Sequence, residues 1–191
     1  GVLKRLDASL IGGGGYEKLV ETNVTSAVAS VTLDGYFSST YDIYRVYFFN
    51  VVPVSDNVQF KFRFVSGGSV VTSSDYKYLV EGGYASGSSV TIDTASASGA
   101  TSANISRHGI DNQDVSAGGN GYYDIFNPLS TDHQKYAGGR SWDSLNDNSY
   151  IASHINTAKY EANTNALSGV NFFFQSGNIA TGTFVLYGLK K

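Results

Sequence analysis

The chain lacks cysteine and methionine altogether, and it has only two prolines and one tryptophan in 191 residues. Because it has no cysteine, it forms neither a disulfide framework nor a thiolate metal site, and its stability must come from packing and from partner chains. It also lacks any apolar run near the roughly 20 residues that cross a bilayer, and its first residues lack the apolar stretch of a signal peptide. We therefore expect a cytoplasmic product that does not insert into a membrane.

Charge of either sign is sparse. The chain has 13 Lys and Arg residues against 16 Asp and Glu residues, which gives a net charge of −3 at pH 7. Such a balance creates no broad positive field that would attract a phosphate backbone. The composition therefore argues against nucleic acid as a partner.

Aromatic and turn-forming residues, in contrast, are plentiful. The chain has 14 tyrosines and 11 phenylalanines, and 41% of its residues are hydrophobic, which is ample for one buried core. Its 22 glycines supply the backbone conformations that turns between short strands require. These features predict a single all-β domain at residues 16–191, with few helices.

An arm of residues 1–15 precedes this domain. Four consecutive glycines, residues 12–15, form a flexible connection between the domain and a basic, apolar segment. That segment comprises Val2, Leu3, Lys4, Arg5 and Leu6. We expect it to attach the chain to a neighbouring subunit, and the alternative is a frayed terminus.

Period-two alternation marks the clearest strand. Residues 58–64 read Val-Gln-Phe-Lys-Phe-Arg-Phe, with every second side chain apolar, as in a strand with one buried face. Residues 43–51 are apolar on both faces apart from Arg45, which predicts a central strand that is covered on both sides. Because the six-residue link 52–57 contains Pro53, we expect the two strands to pair as an antiparallel hairpin.

Other segments have the composition of strands between turns. The further strand candidates are residues 18–22, 28–33, 122–126, 150–155, 170–174 and 183–189. Two segments, 82–121 and 127–149, lack regular alternation and are predicted to be long irregular loops. Since no repeat with a period of about 20 to 50 residues occurs, the predicted fold is an antiparallel β-sandwich of jelly-roll type.

Of the three histidines, His108, His133 and His154, the first two have acidic residues near them in the sequence, and none has a metal-ligand spacing. We expect them to be structural or exposed to solvent, and we predict no bound metal and no cofactor. Residues 142–148 are rich in Asp and Asn but lack the alternating acidic pattern of a calcium loop, so a turn is the preferred interpretation.

Catalytic motifs are also missing from the sequence. The chain has no cysteine nucleophile, no G-x-S-x-G sequence and no P-loop. We therefore predict that the protein is not an enzyme. A glycan depolymerase stays open as an alternative, because the fold sets the separation of a catalytic carboxylate pair.

A group of aromatic residues is the candidate contact site. Tyr136, Trp142 and Tyr150 are candidates for stacking against a sugar ring, and Asp143 and Asn146 are candidates for hydrogen-bonding its hydroxyls. The group therefore predicts a contact with a glycan or with another subunit. The alternative is that the aromatic side chains cover the end of the core.

Six segments, taken in order along the chain, carry a resemblance to a known family. They are residues 18–22 (Lys-Leu-Val-Glu-Thr), 31–35 (Val-Thr-Leu-Asp-Gly), 41–46 (Tyr-Asp-Ile-Tyr-Arg-Val), 50–53 (Asn-Val-Val-Pro), 123–128 (Tyr-Asp-Ile-Phe-Asn-Pro) and 176–190. Their order resembles a recurrent β-sandwich family of tailed-phage virion proteins. In that family, 123–128 looks like the strand that ends in an Asn-Pro turn, and 176–190 resembles the closing hairpin.

The resemblance implies a virion component made in the host cytoplasm, such as a tail-fibre, spike, neck or capsid-decoration subunit, commonly a homotrimer. It implies that Gly177, Gly182 and Gly188 carry backbone geometry, and it supplies no catalytic residue. We thus expect a non-enzymatic structural protein that acts by oligomerisation and surface contact with other virion proteins. The alternative is a carbohydrate-binding module that recognises a host-surface glycan.

Overall fold

The computed structural model describes residues 15–113, 118–145 and 150–191, so the attachment segment Val2–Leu6 lies outside the described residues. The described residues form thirteen β-strands. In chain order these are β1 Tyr16–Val24, β2 Val31–Asp34, β3 Tyr41–Pro53, β4 Phe60–Ser66, β5 Ser69–Val70, β6 Tyr76–Ser86, β7 Ser89–Ala100, β8 Ala103–Asn104, β9 Gly119–Phe126, β10 Lys135–Leu145, β11 Tyr150–Tyr160, β12 Gly169–Phe174 and β13 Ile179–Lys190.

The strands form two antiparallel sheets that pack face to face. The large sheet has eight strands in the order β1-β13-β3-β9-β10-β11-β6-β7. The small sheet has the order β2-β12-β4-β5, with β8 paired to β4. The predicted antiparallel β-sandwich is confirmed, and the chain passes from one sheet to the other several times.

Aromatic side chains fill the space between the sheets. On β4, Phe60, Phe62 and Phe64 all point inward and are fully buried, so the alternation predicted from the sequence is confirmed. The rings of Phe62 and Tyr123 lie 4.7 Å apart, and those of Phe48 and Phe60 lie 5.3 Å apart. Each such ring contributes about 1.5–3 kcal/mol of gross burial free energy, so this interface is the main source of stability.

The predicted hairpin of β3 and β4 is wrong. β3 pairs with β13 and β9 inside the large sheet, whereas β4 pairs with β12 in the small sheet. Each strand has one strongly apolar face, and the two faces are buried against each other across the sandwich. The closing hairpin at 176–190 is wrong for the same reason, because β12 and β13 belong to different sheets.

The two segments predicted to be irregular contain regular strands. The first includes β7 and β8, and the second includes β10. In β7 the residues are mostly Ser, Thr and Ala, which give little hydrophobic alternation. In β10 a Cβ at Gly139 would overlap the backbone of Tyr122 on β9, so glycine there permits close strand packing. Because Trp142–Leu145 belongs to β10, the predicted turn is wrong for those residues, and 146–148 lie outside the described residues.

Two other strands begin later than the alternation indicates. β2 begins at Val31 and β4 at Phe60. The preceding Val28 and Val58 each make an isolated bridge, to Ile179 and Ile110 respectively. Val28 therefore joins the large sheet by a single pair of backbone hydrogen bonds, whereas Val58 pairs with a residue that lies outside both sheets.

Candidate functional site

The outer face of the large sheet, which is turned away from the small sheet, carries exposed apolar side chains. Those of Val90 and Ile92 on β7 are 71% and 78% exposed, and that of Ile151 on β11 is 66% exposed. Single exposed apolar residues are ordinary, but contiguous groups mark interaction surfaces. We call this group, together with Ile155 and Trp142, the apolar patch.

Strand register makes the apolar patch contiguous. Ser153 on β11 lies opposite both Trp142 and Gly83, and Gly83 lies opposite Ile92. The small residues at the centre leave a shallow depression of about 440 Å³, which the larger side chains surround. The patch is therefore a shallow concave surface on four adjacent strands, β10, β11, β6 and β7.

A second group on the same face surrounds Arg45 of β3. Its guanidinium donates to both carboxylate oxygens of Asp124 on β9, at 2.6 Å each. It also lies over the ring of Tyr122, 4.4 Å from the centroid, with Tyr16 and Tyr47 further out. The hydrogen bonds to Asp124 raise the pKa of Arg45 above its already high ordinary value, so this arginine stays charged. We call this group the arginine cluster.

Trp142 connects the two groups. Its ring lies 6.4 Å from that of Tyr122, which belongs to the arginine cluster. Phe49, 42% exposed, stacks on Tyr47 at 6.1 Å on the other side of that cluster. Aromatic and aliphatic side chains thus extend across the outer face from β3 to β7, together with the Arg45–Asp124 ion pair and with Glu81, an exposed carboxylate that also lines the depression.

The strand β7 forms one edge of the large sheet and leaves its outer backbone groups unpaired by any described strand. It has 12 residues, and Asp93 is its only charged residue. The opposite edge, β1, carries Glu17, Lys18 and Glu21 and has a bulge between Lys18 and Val20. Charges and bulges protect an edge from pairing with other chains. β7 has one charge and is irregular only near Gly99, so it is the less protected edge.

The structure separates the residues that the sequence placed in one contact site. Trp142 and Tyr136 are exposed on the outer face of β10, but six residues of strand put them about 20 Å apart. Asp143 points to the inner face and is buried, so it cannot join Trp142 in binding one ligand. Asn146 lies outside the described residues. Tyr150 instead stacks on Tyr84, with the ring centroids 5.5 Å apart.

The histidines occupy three different environments. His133 is exposed in the loop before β10. His154 is fully buried, with Nε2 placed 3.0 Å from Oδ2 of Asp143 and Nδ1 accepting the backbone N–H of Arg107 at 3.2 Å. Because the His154 side chain is fully buried, neither of its ring nitrogens can reach a substrate in solvent.

His108 lies nearer the surface, beside Asp93 and Arg107. Its Nε2 is 3.1 Å from one oxygen of Asp93, whose other oxygen binds the Arg107 guanidinium at 2.9 Å. Burial lowers the pKa of His108, and Asp93 opposes that shift. His108 is therefore neutral at neutral pH.

His108 belongs to residues 105–112, which we call the covering segment. This segment packs over the inner face of β6, β10 and β11.

Polar contacts hold the covering segment in place. The Asn156 side chain donates to the Ile105 carbonyl at 3.0 Å, and the Gln59 side chain donates to the Arg107 carbonyl at 2.9 Å. Gly82 of β6 makes the approach possible, because a Cβ there would lie 2.6 Å from Nδ1 of His154 and 2.7 Å from Cβ of Arg107. Segment and sheet are therefore in direct contact.

Between the covering segment and the end of the sandwich lies a cleft of about 350 Å³. We call it the polar cleft. Its side chains come from the link between β3 and β4, from the covering segment and from the ends of β6, β10 and β11; among them are Asp56, Asn57, Tyr84, His108, Asp111 and Tyr150.

Two kinds of site receive no support from the described residues. Within 15–113, 118–145 and 150–191, no group of three or more His, Cys, Asp or Glu side chains is placed to hold a metal ion. In the same ranges, no helix is long and apolar enough to cross a membrane.

Sequence reasoning missed Tyr84, Asp56 and His108 as members of one cleft. They lie on three different elements, and only the pairing of the strands brings them together. It also missed the partner of Arg45, although a lone charge in an otherwise apolar strand is a signal that an opposite charge lies on a neighbouring strand. Comparisons with protein-family models, with curated proteins and with solved structures found no match for this chain.

Proposed function

We propose that this chain is a non-enzymatic structural protein of a tailed-phage virion, a fibre, spike or decoration subunit that works by self-association and surface contact. The virion assignment rests on the sequence resemblance of residues 18–190. The apolar patch carries the self-association, because its side chains are exposed on a rigid sheet face. Burying each of them fully would contribute about 1.5–3 kcal/mol of gross free energy.

A second copy of the chain is the partner that fits this face best. Every copy presents the same patch, and soluble assemblies are most often closed and symmetric. Three identical patches can meet around a three-fold axis, so a trimer would bury this face on every copy. The arginine cluster adds flat aromatic area without net charge, since Asp124 neutralises Arg45. Aromatic and Arg side chains of this kind are enriched at subunit interfaces.

Sedimentation velocity across a range of concentrations tests the self-association. We expect a trimer, as the resemblance implies, and we expect the double variant Ile92→Lys/Ile155→Lys to shift it to monomer, since two buried charges would oppose association. Val54→Lys is the matched control, because Val54 is also an exposed apolar residue, at 50%, but lies outside the patch. A wild-type chain that stays monomeric at every concentration would exclude the proposal.

A carbohydrate-binding module for host recognition is the second candidate. The observation that favours it is the exposed ring of Trp142, which is 41% accessible on a rigid strand. Stacking on such a ring is a common way to hold a sugar. Glycan-array binding that disappears in Trp142→Ala would favour this function at the outer face. Binding that is unchanged in Trp142→Ala would show that Trp142 does not bind the glycan and would favour a role in subunit contact.

A further inference from the structure

The edge of β7 is a surface to which another strand can be added. Residues 89–98 pair regularly with β6 on one side, and no described strand pairs with them on the other. A regular row of unpaired backbone N–H and C=O groups is a template for a further strand. Val90, Ile92 and Thr94 alternate onto the outer face of this edge, where the apolar patch lies. The edge therefore suits an extended segment with one apolar face.

An exposed carboxylate lies beside this edge. Glu81 on β6 is directly opposite Thr94 on one side and Ile155 on the other, so its side chain shares their outer face. It borders the depression of the apolar patch and makes no ion pair within the described residues. A partner strand with a cation at the level of Thr94 would supply the opposite charge that Glu81 lacks.

The arm that precedes β1 has the sequence of such a segment. Residues 4–9 read Lys-Arg-Leu-Asp-Ala-Ser, so Lys4, Leu6 and Ala8 share one face when the segment is extended. Two apolar residues on that face match the apolar part of the β7 edge, and the cation at one end matches its carboxylate. The arm therefore combines the apolar face and the positive charge that the edge calls for.

One antiparallel register brings apolar residues opposite apolar residues and the cation beside the carboxylate. Its pairs are Leu6 with Ile92, Ala8 with Val90, and Lys4 with Thr94, the neighbour of Glu81. On the inner face the same register brings Arg5 opposite Asp93, whose carboxylate also binds Arg107. A parallel arrangement with the same central pair would put Lys4 beside Val90, away from Glu81. The charges therefore favour the antiparallel direction.

The arm can reach the β7 edge of a neighbouring copy but not that of its own chain. β1 and β7 are the two edges of the eight-stranded sheet, so gaps of about 4.8 Å between strands put them about 34 Å apart. The chain from Ala8 to Gly15 spans about 25 Å at most when it is fully extended. An arm that leaves one copy and pairs with the next makes a head-to-tail contact, which three copies can close into a ring.

We propose that the arm of one copy adds to β7 of the next copy as an antiparallel strand, with Leu6 opposite Ile92, and that three such contacts close the trimer. The inference rests on the proposed self-association and names the segment and the edge that meet in it. The added strand would widen the apolar patch by Leu6 and Ala8. Backbone hydrogen bonds would supply affinity, and the alternating side chains would fix the register.

Disulfide trapping tests the contact, because the chain has no cysteine of its own. An equal mixture of full-length Leu6→Cys and Ile92→Cys chains is oxidised mildly and separated on a non-reducing gel. We expect a covalent dimer that needs both variants, since residues directly opposite on antiparallel strands have Cβ atoms about 4.5–5.5 Å apart. In the control mixture Val54→Cys replaces Ile92→Cys, and we expect little dimer, because Val54 is exposed but lies outside β7.

Charge reversal tests the register. Glu81→Lys should raise the concentration at half assembly by about threefold or more, because two like charges would then meet at Lys4. Adding Lys4→Glu to the same chain should restore assembly, whereas Lys4→Glu alone should weaken it. Sedimentation velocity measures each variant, and the urea unfolding midpoint checks that each is folded. A double variant as weak as Glu81→Lys would contradict the register.

The outcomes distinguish the arm contact from self-association itself. A wild-type trimer whose arm and β7 give no cross-link would overturn the arm contact and leave self-association standing. Ile92→Cys chains that link to one another as readily as to Leu6→Cys chains would do the same, because they would indicate pairing of β7 with β7. A wild-type chain that is monomeric at every concentration would overturn both proposals.

Discussion

Nε2 of His154 lies 3.0 Å from Oδ2 of Asp143, and neither side chain is exposed to solvent. The two residues are on neighbouring strands, and the other imidazole nitrogen accepts the backbone N–H of Arg107 in the covering segment. One polar pair therefore joins two strands of the large sheet to the segment that covers them. Because both side chains are fully buried, removing either one leaves the other without its polar partner in the interior.

The first prediction concerns this buried pair. His154→Leu should lower the free energy of unfolding by about 3–5 kcal/mol, because the Asp143 carboxylate stays buried without its partner. Urea unfolding followed by tryptophan fluorescence measures the change. The double variant Asp143→Leu/His154→Leu should regain about 2 kcal/mol or more, since a well-packed apolar pair removes the unpaired charge. A double variant no more stable than His154→Leu would contradict this account.

The second prediction concerns Gly82, which lies directly beneath the covering segment. Gly82→Ala should cost about 1–3 kcal/mol of stability, because the new methyl group would press on His154 and Arg107. Thermal or urea unfolding measures the loss. Gly15→Ala is the control, since a Cβ at Gly15 has no atom within 4 Å. Equal effects of the two substitutions would show that the covering segment does not pack as described.

The third prediction concerns acid sensitivity at His108. Burial lowers its pKa below the ordinary value of 6.5, so the unfolded chain binds more protons than the folded chain between the two pKa values. The stabilising contribution is fully present above about pH 6.5 and is lost as the pH falls through that window. His108→Gln should therefore flatten the dependence of unfolding free energy on pH below 6.5, measured by urea unfolding at several pH values. Identical slopes for the two proteins would exclude this role.

The strands that sequence predicted best are those whose side chains alternate sharply. Phe60, Phe62 and Phe64 identify β4 because a charged residue separates each buried ring from the next. β7 gives no such signal, since its neighbours across the sheet, and not its own small residues, keep it extended. The partners of β3 and β4 could not be predicted either, because two apolar strands joined by a short link fit a hairpin and a sandwich crossing equally well.

The candidate sites were predictable only in part. The sequence made Trp142 a candidate contact residue, and its ring is exposed on the outer face. Its neighbour Asp143 points the opposite way, because successive side chains of a strand alternate. That alternation was hidden because the sequence 142–148 is typical of a turn. The polar cleft depends on residues from three elements, so it emerges only from the strand order and the path of the covering segment.

The outer backbone groups of β7 form a regular edge along residues 89–98, so this edge can pair with strands from other copies of the chain. A subunit that is made in excess of its partner proteins would add strands from other copies at this edge and form extended aggregates. The ratio in which the components are synthesised, more than the stability of the single subunit, would then decide how much usable protein accumulates.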